Sequence, residues 1–290
     1  MVRGKMSIKS IFTRLIVTFL LILIPMYVLS IGIQIWGKSI IQKEIINSMS
    51  SQTDYYRINL VNEFNRIQNL ETECFSDIDL LKLSSIPQAL NDFERAQSMN
   101  RLQSKMFSIK NSNIYIADAK VIIPSLGKSI GANEGISDIN NTDLKIIQNF
   151  QDNYFLKLIN ENNTLYLCAV NTYYDISPSG PKFLIQVEFS NEMLQKSLIT
   201  YNKYDDSGLI LLCPSRQYVL NTGSNQLIED QVLREITTTQ ETDFNNVFSV
   251  DGTKYLAFFS KLDYMDFWLS VYVPVNEVYS PLNIYRYLLW

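Results

Sequence analysis

Residues Leu15 to Trp36, "LIVTFLLILIPMYVLSIGIQIW", form a run of 22 positions without a charge. At about 1.5 Å of rise per residue, a helix of that length crosses the ~30 Å hydrocarbon layer of a bilayer. Pro25 lies inside the run, and a proline kink is tolerated in a membrane helix. Arg3, Lys5, Lys9 and Arg14 precede the run, and no acid occurs before Glu44. The positive-inside rule then places 1–14 in the cytoplasm and the chain after 15–36 outside. A cleaved signal peptide would have a shorter apolar core, roughly 7–15 residues, ending in a small-x-small site. "IGIQIWGKS" offers no such site, so 15–36 reads as an uncleaved transmembrane anchor.

Charge sorts about that span. All 29 acidic residues follow residue 43, so the part beyond the anchor is acidic and gives no footprint for nucleic acid. There is no histidine. That excludes a histidine base, a Ser-His-Asp triad, histidine metal ligands and a phosphoryl-carrying histidine. The three cysteines, Cys74, Cys168 and Cys213, are far apart and form no CxxC. Cys168 and Cys213 sit in apolar, strand-like runs and read as small buried hydrophobes. No metal or cofactor is implied.

From Lys38 to Ile86 the chain has neither proline nor glycine. Ile41, Ile45, Met49, Tyr56, Leu60, Phe64, Ile67 and Cys74 recur at three-to-four spacing along one helical face. The membrane helix is expected to continue outward as a stalk over 37–79. That face can cover the chain's own core, a second subunit, or both. Gln52 and Glu71 within the stripe argue against a strict coiled coil. A second helix is expected from Ser85 as N-cap, with Pro87 in its first turn.

The pattern then changes to period two. "NIYIADAKVIIP" reads as two short strands about Asp118-Ala119, and "NTDLKIIQNF" as a helix. "YFLKLI", "TLYLCAVNTY" and "KFLIQVEF" read as three strands. The same order follows again. "GLILLCPSRQYVL" is two strands about Pro214-Ser215, and "NQLIEDQVLREITT" is a helix. "NNVFSV" and "TKYLAFFSKL" flank the hairpin turn Asp251-Gly252, and "FWLSVYV" closes the set. "YLCAV" at Tyr166 matches "YLAFF" at Tyr255, and "LIQVEFSNEM" at Leu184 matches "LSVYVPVNEV" at Leu269. Such offsets mark an internal repeat of domain size. The expected fold class is α+β, with two PAS-like modules of antiparallel sheet: a membrane-distal one over 80–198 and a membrane-proximal one over 203–276.

Two such modules on a long N-terminal helix resemble the double Cache sensor region. The endings "FLIQVEFSNEML" and "FWLSVYVPVNEV", together with "NSNIYIADAKVIIPSLGKSI", are similar to the extracellular part of YesM-like sensor histidine kinases. The resemblance covers about 38–278. It implies an extracellular ligand sensor in the cell membrane that signals to a kinase as a homodimer, with no catalysis in these residues. The final "PLNIYRYLLW" (281–290) is then the start of a second transmembrane helix, and the chain is a sensor fragment or truncated product. Chemoreceptors and cyclases carry similar sensors, so the output domain stays open.

By the same resemblance the ligand binds in the distal module. Asn171, Tyr173, Tyr174 and Asp175 close a strand and enter a Pro/Gly loop. Aromatics beside one carboxylate suit a sugar or a cationic small molecule. The same residues would equally serve as sheet packing and a turn cap. A peptide, or a ligand-loaded binding protein, is a further possible partner. In the proximal module Trp268 and Tyr272 read as core. An anchored extracellular hydrolase, from a different class, would need two carboxylates roughly 5–9 Å apart in a cleft, and the acids here are scattered.

Overall fold

The structure is a computed structural model and describes residues 8–148, 150, 156–170, 176–177, 180–199, 204–223, 225–262 and 266–278. Helix α1 runs from Ile8 to Cys74 with Pro25 inside it. Its Phe12–Cys74 stretch is, among the described residues, the one helix long and apolar enough to cross a membrane. The chain divides into two compact units. One includes α1 as far as Ser51; the other, Gln52–Glu277, holds both sheets.

The expected stripe on α1 splits in two. Tyr56, Leu60, Phe64, Ile67 and Cys74 are buried, whereas Ile41, Ile45 and Met49 are exposed or half-buried. Asp77 stops the helix from simply continuing. Its carboxylate accepts from the Asp79 and Leu80 N–H groups and caps α2, Ile78–Ser85. Ser85 therefore ends a helix instead of starting one. After a 3-10 turn at Pro87–Ala89, α3 spans Asp92–Ser112. Asn91 and Glu94 start it by satisfying each other's N–H groups, a capping box written as "NDFE".

Strand β1, Ile116–Ile123, is one bulged strand, not two about Asp118-Ala119. The reversal falls later, at Pro124–Leu126, where Gly127 takes φ 62°. Strands β2 (Lys128–Gly131) and β3 (Gly135–Asp138), helix α4 (Asn141–Gln148), and strands β4 (Leu156–Glu161) and β5 (Thr164–Val170) follow. Asn162 and Asn163, both at positive φ, make the β4–β5 turn. A small hairpin, β6 (Ile176–Ser177) and β7 (Gly180–Pro181), precedes β8 (Leu184–Phe189). Helix α5, Asn191–Ile199, leads to the second set: β9 (Gly208–Cys213), β10 (Tyr218–Asn221), α6 (Gln226–Thr238), β11 (Asp243–Val250), β12 (Thr253–Leu262) and β13 (Phe267–Pro274).

The first sheet has the order β3-β2-β1-β8-β5-β4 and the second β10-β9-β13-β12-β11, both antiparallel. Without β3 the two orders are the same, so the repeat is structural. It extends to the first reversal, where Pro124-Ser125 and Pro214-Ser215 open matching 3-10 turns. One expected match is displaced by a residue. Leu184 faces α4, whereas Leu269 belongs to the core shared with α1. A one-residue shift in a strand reverses the face, so Leu184 corresponds in facing to Trp268, which lies under α6.

One face of each sheet packs into a single core with the Tyr56–Cys74 part of α1. The opposite faces are covered separately, by α4 and by α6. The two modules also meet through polar bonds. Asn191 Nδ2 donates to the Asn163 carbonyl at 2.6 Å while its Oδ1 accepts from the Tyr218 hydroxyl at 2.8 Å. Asn160 Nδ2 donates to the Gln217 carbonyl at 3.2 Å.

Candidate functional site

The α4 side of the first sheet differs from the α6 side of the second. Under α6, Trp268, Tyr255, Phe259 and Tyr272 fill the space, and Trp268 and Tyr272 are core as expected. Under α4, Ile122, Cys168, Val170 and Leu184 meet Ile146 and Phe150. Charged and amide side chains share that face with them.

Strand alternation sets which ones. Ile122 of β1 faces α4, so Lys120 and Asp118 do too. Leu184 of β8 faces α4, so Gln186 and Glu188 do too. Lys120 Nζ reaches Asp143 Oδ1 of α4 at 2.5 Å, and the Asp143 side chain is fully buried. Asn140 and Asp143 satisfy each other's N–H groups at 2.8 and 3.1 Å. The same carboxylate thus caps α4 and ties it to the sheet. A buried pair of this kind is costly to break from one side, because the other charge stays buried.

Gln186 lies beside Lys120 in the ladder and is 1% exposed, and its Oε1 has no hydrogen-bond partner among the described residues. An orphaned buried amide oxygen costs about 1–3 kcal/mol. Next along, Asp118 stands opposite Glu188, and Glu188 opposite Tyr166. Burial raises the Asp118 carboxyl above the usual carboxylate range. Burial, and then the neighbouring Asp118, raises Glu188. Burial, and then Glu188, pushes the Tyr166 hydroxyl up to about 12. Like charges across a ladder repel, and a cation placed over them relieves both the repulsion and the desolvation. The face therefore offers an acidic row at one end and an unsatisfied amide beside an ion pair in its middle. Among the described residues no three His, Cys, Asp or Glu side chains are grouped to hold a metal ion.

Asn171, Tyr173, Tyr174 and Asp175 lie outside the described residues. Their flanks are described. Val170, the last residue of β5, is buried on the α4 face opposite Leu184. Beyond them β6 pairs with β7, and β7 lies beside α4. The beginning of a second apolar run at 281–290 is also outside the described residues. Sequence reasoning missed Asp118, Lys120, Asp143, Gln186 and Glu188. The signal was there: "ADAKVII" and "IQVEF" each carry two polar residues two apart within an apolar strand. That spacing puts both on one buried face.

No family model and no curated protein matches the chain. Solved structures do. The extracellular domain of soHK1S-Z6, a protein assigned as a histidine kinase, aligns with TM-score 0.59 at 11% identity, over 83% of this chain and 98% of that one. The ligand-binding domain of the Pseudomonas fluorescens chemoreceptor CtaA, in complex with L-isoleucine, aligns with TM-score 0.56 at 11% identity, over 84% and 98%. The sensory domain of the Campylobacter jejuni chemoreceptor Tlp3 aligns with TM-score 0.55 at 10% identity, over 83% and 98%. At these identities the likeness is one of fold: α+β, a long N-terminal helix with two antiparallel sheets, as in sensory domains of chemoreceptors and histidine kinases.

Proposed function

We propose that this chain is the extracellular ligand-sensing portion of a membrane-bound sensor histidine kinase, anchored by Leu15–Trp36 and itself without catalytic activity. The observation that carries the reading is the distal sheet face under α4. It combines a sensory-domain fold with a buried Gln186 Oε1 that has no partner among the described residues, and with the half-buried Asp118, which also accepts from the Asn133 N–H at 3.1 Å, facing the half-buried Glu188. The orphaned oxygen and the facing carboxylates are both costs to a sheet with no ligand. Of the ligands the sequence leaves open, the acidic row favours a molecule with a cationic group over a sugar. A free amino acid or a short peptide, alone or presented by a binding protein, has that group. L-Isoleucine in the CtaA complex belongs to that class. Asn171, Tyr173, Tyr174 and Asp175, which follow β5 in sequence, are proposed to contribute to binding such a ligand.

Signalling then needs two states with different ligand affinity. We place the partner for that motion in a second copy, against the exposed and half-buried Ile41, Ile45 and Met49 of α1. A second crossing from about Pro281 would carry the signal inward. A chemoreceptor output is the second reading, since two of the three solved relatives above are chemoreceptors.

The binding test uses the full chain in nanodiscs and a panel of L-amino acids, read by thermal shift. At least one should raise Tm in the parent and not in the Asp118→Asn, Glu188→Gln double variant. A panel without effect, or one equally effective in the variant, would sink the site. Orientation is tested by cysteine labelling of intact cells. Glu241→Cys should react from outside and Ser7→Cys should not; the reverse pattern removes the extracellular reading.

A further inference from the structure

The face of α1 that packs on the sheets is apolar from Phe64 onward except for Glu71, but before Phe64 it opens onto a cavity of about 340 Å³. Tyr56, Asn59, Asn62 and Glu63 of α1 line it, with Tyr115 just before β1 and Ser197 of α5. Tyr56 and Leu198 of this wall belong to the core shared by both sheets, so the cavity lies on the side away from α4.

The polar groups here are in unequal states. Glu63 Oε2 accepts from Asn113 Nδ2 at 2.6 Å, and Arg66 Nη1 stands 3.9 Å from the same oxygen. The carboxylate charge is thus already countered, and the cavity wall carries no unbalanced charge. The Tyr56 hydroxyl accepts from Gln52 Nε2, which turns its ring into a fixed wall. By contrast, the carboxamides of Asn59 and Asn62 and the hydroxyl of Tyr115 make no hydrogen bond among the described residues. These three groups both donate and accept.

We propose that this cavity binds a neutral polyhydroxylated molecule of mono- to disaccharide size. Hydroxyl-rich ligands need neighbours that donate and accept at once, and two free carboxamides with a phenol supply that. The Tyr56 and Tyr115 rings give the apolar surface on which the C–H face of a sugar ring packs. Countered charge at Glu63 gives neither an anion nor a free cation a gain that would offset its desolvation. The volume falls at the small end of ligand pockets, roughly 300–1,000 Å³. Because α1 and α5 contribute opposite walls, occupancy would hold α5, the link between the modules, against α1. The assignment stands whether or not the α4 face binds a ligand.

The test uses the full chain in nanodiscs, which avoids sugar-headed detergents. Glucose, maltose and trehalose are the probes, with choline and inorganic phosphate as controls. A binding sugar should raise Tm by about 4 °C at roughly ten times its Kd. The Asn59→Ala, Asn62→Ala variant loses no internal hydrogen bond, so its unliganded Tm should match the parent and only the sugar shift should vanish. Saturation-transfer NMR with the same sugars checks binding independently of stability. Three results overturn the proposal: no sugar binds by either method, the double variant binds as well as the parent, or choline or phosphate binds as well as the sugars.

Discussion

Phe64 of α1 meets Phe189 of the first sheet edge to face, with ring centroids 5.1 Å apart and planes at 88°. The same Phe64 ring stacks on Phe267 of the second sheet at 5.8 Å. One side chain therefore belongs to the packing of both modules.

Phe64→Ala should cost about 3–5 kcal/mol, the usual figure for a buried aromatic truncated to alanine. Because both sheets lose the ring, urea unfolding followed separately by tryptophan fluorescence and far-UV circular dichroism should shift as one transition. Two transitions with only one displaced would mean that the modules fold independently.

Asp143→Ala should cost about 3 kcal/mol, since it strands the mostly buried Lys120 ammonium and removes the α4 cap. Lys120→Met combined with Asp143→Leu should recover most of that loss. The remainder should match a lost cap, about 1 kcal/mol. A double-mutant cycle by chemical denaturation checks both figures. If the double replacement is no better than the single, the ion pair is not what Asp143 contributes.

Glu71 is fully buried in α1 with neither carboxylate oxygen hydrogen-bonded among the described residues, and burial raises its carboxyl well above the ordinary 4.5. A raised folded-state value means that the folded chain holds the proton more tightly than the unfolded one. Stability is then complete in acid and declines as pH rises from about 4.5 towards the folded value. Asp118 and Glu188, raised by burial, add to the same slope. Glu71→Leu should flatten the slope and raise stability at neutral pH. Denaturation midpoints of parent and variant at intervals from pH 4 to 9 would measure it. Equal slopes would place the proton elsewhere.

Tyr272 lies over two glycines. A Cβ at Gly223 would fall 1.9 Å from its hydroxyl oxygen but 3.2 Å from Cζ, whereas one at Gly208 would fall 2.2 Å from the oxygen and 2.4 Å from Cζ. Either glycine changed to alanine should destabilise by about 1–3 kcal/mol through overpacking. Tyr272→Phe removes only the oxygen. It should rescue Gly223→Ala and leave Gly208→Ala impaired, as melting temperatures of the two double variants would show. Rescue of both would mean that the ring itself can move.

Much of this architecture was legible because it is written in period. The run from Tyr56 to Cys74 states a helical face, and "TLYLCAV" and "TKYLAFF" state strands. Asp251-Gly252 states a turn, here at φ 50° and 80°. What failed were features decided by a single residue's position. "LIQVEF" and "LSVYV" look aligned at leucine, yet a strand has two faces and the identity does not say which one is buried. "NDFE" is a helix start whose signal lies in two side chains, and Ser85 with Pro87 carries helix-start residue types without making that cap. The polar groups of the α4 face were hidden for another reason. Lys120 and Asp143 are 23 residues apart, and only the packing of α4 on β1 makes them partners.

Beyond the shared strand order, the first module has two additions, β3 and the β6–β7 hairpin. Strand β3 is at a free edge, and the hairpin forms a separate two-stranded piece between β5 and β8. No residue of β3 belongs to the core common to both modules. Lengthening a surface connection costs little free energy, since loop closure grows only logarithmically with length. The first module can therefore change these additions by insertion or deletion while α1 keeps the same footing on both sheets. A lineage of such chains is free to remodel one end without relearning how to fold.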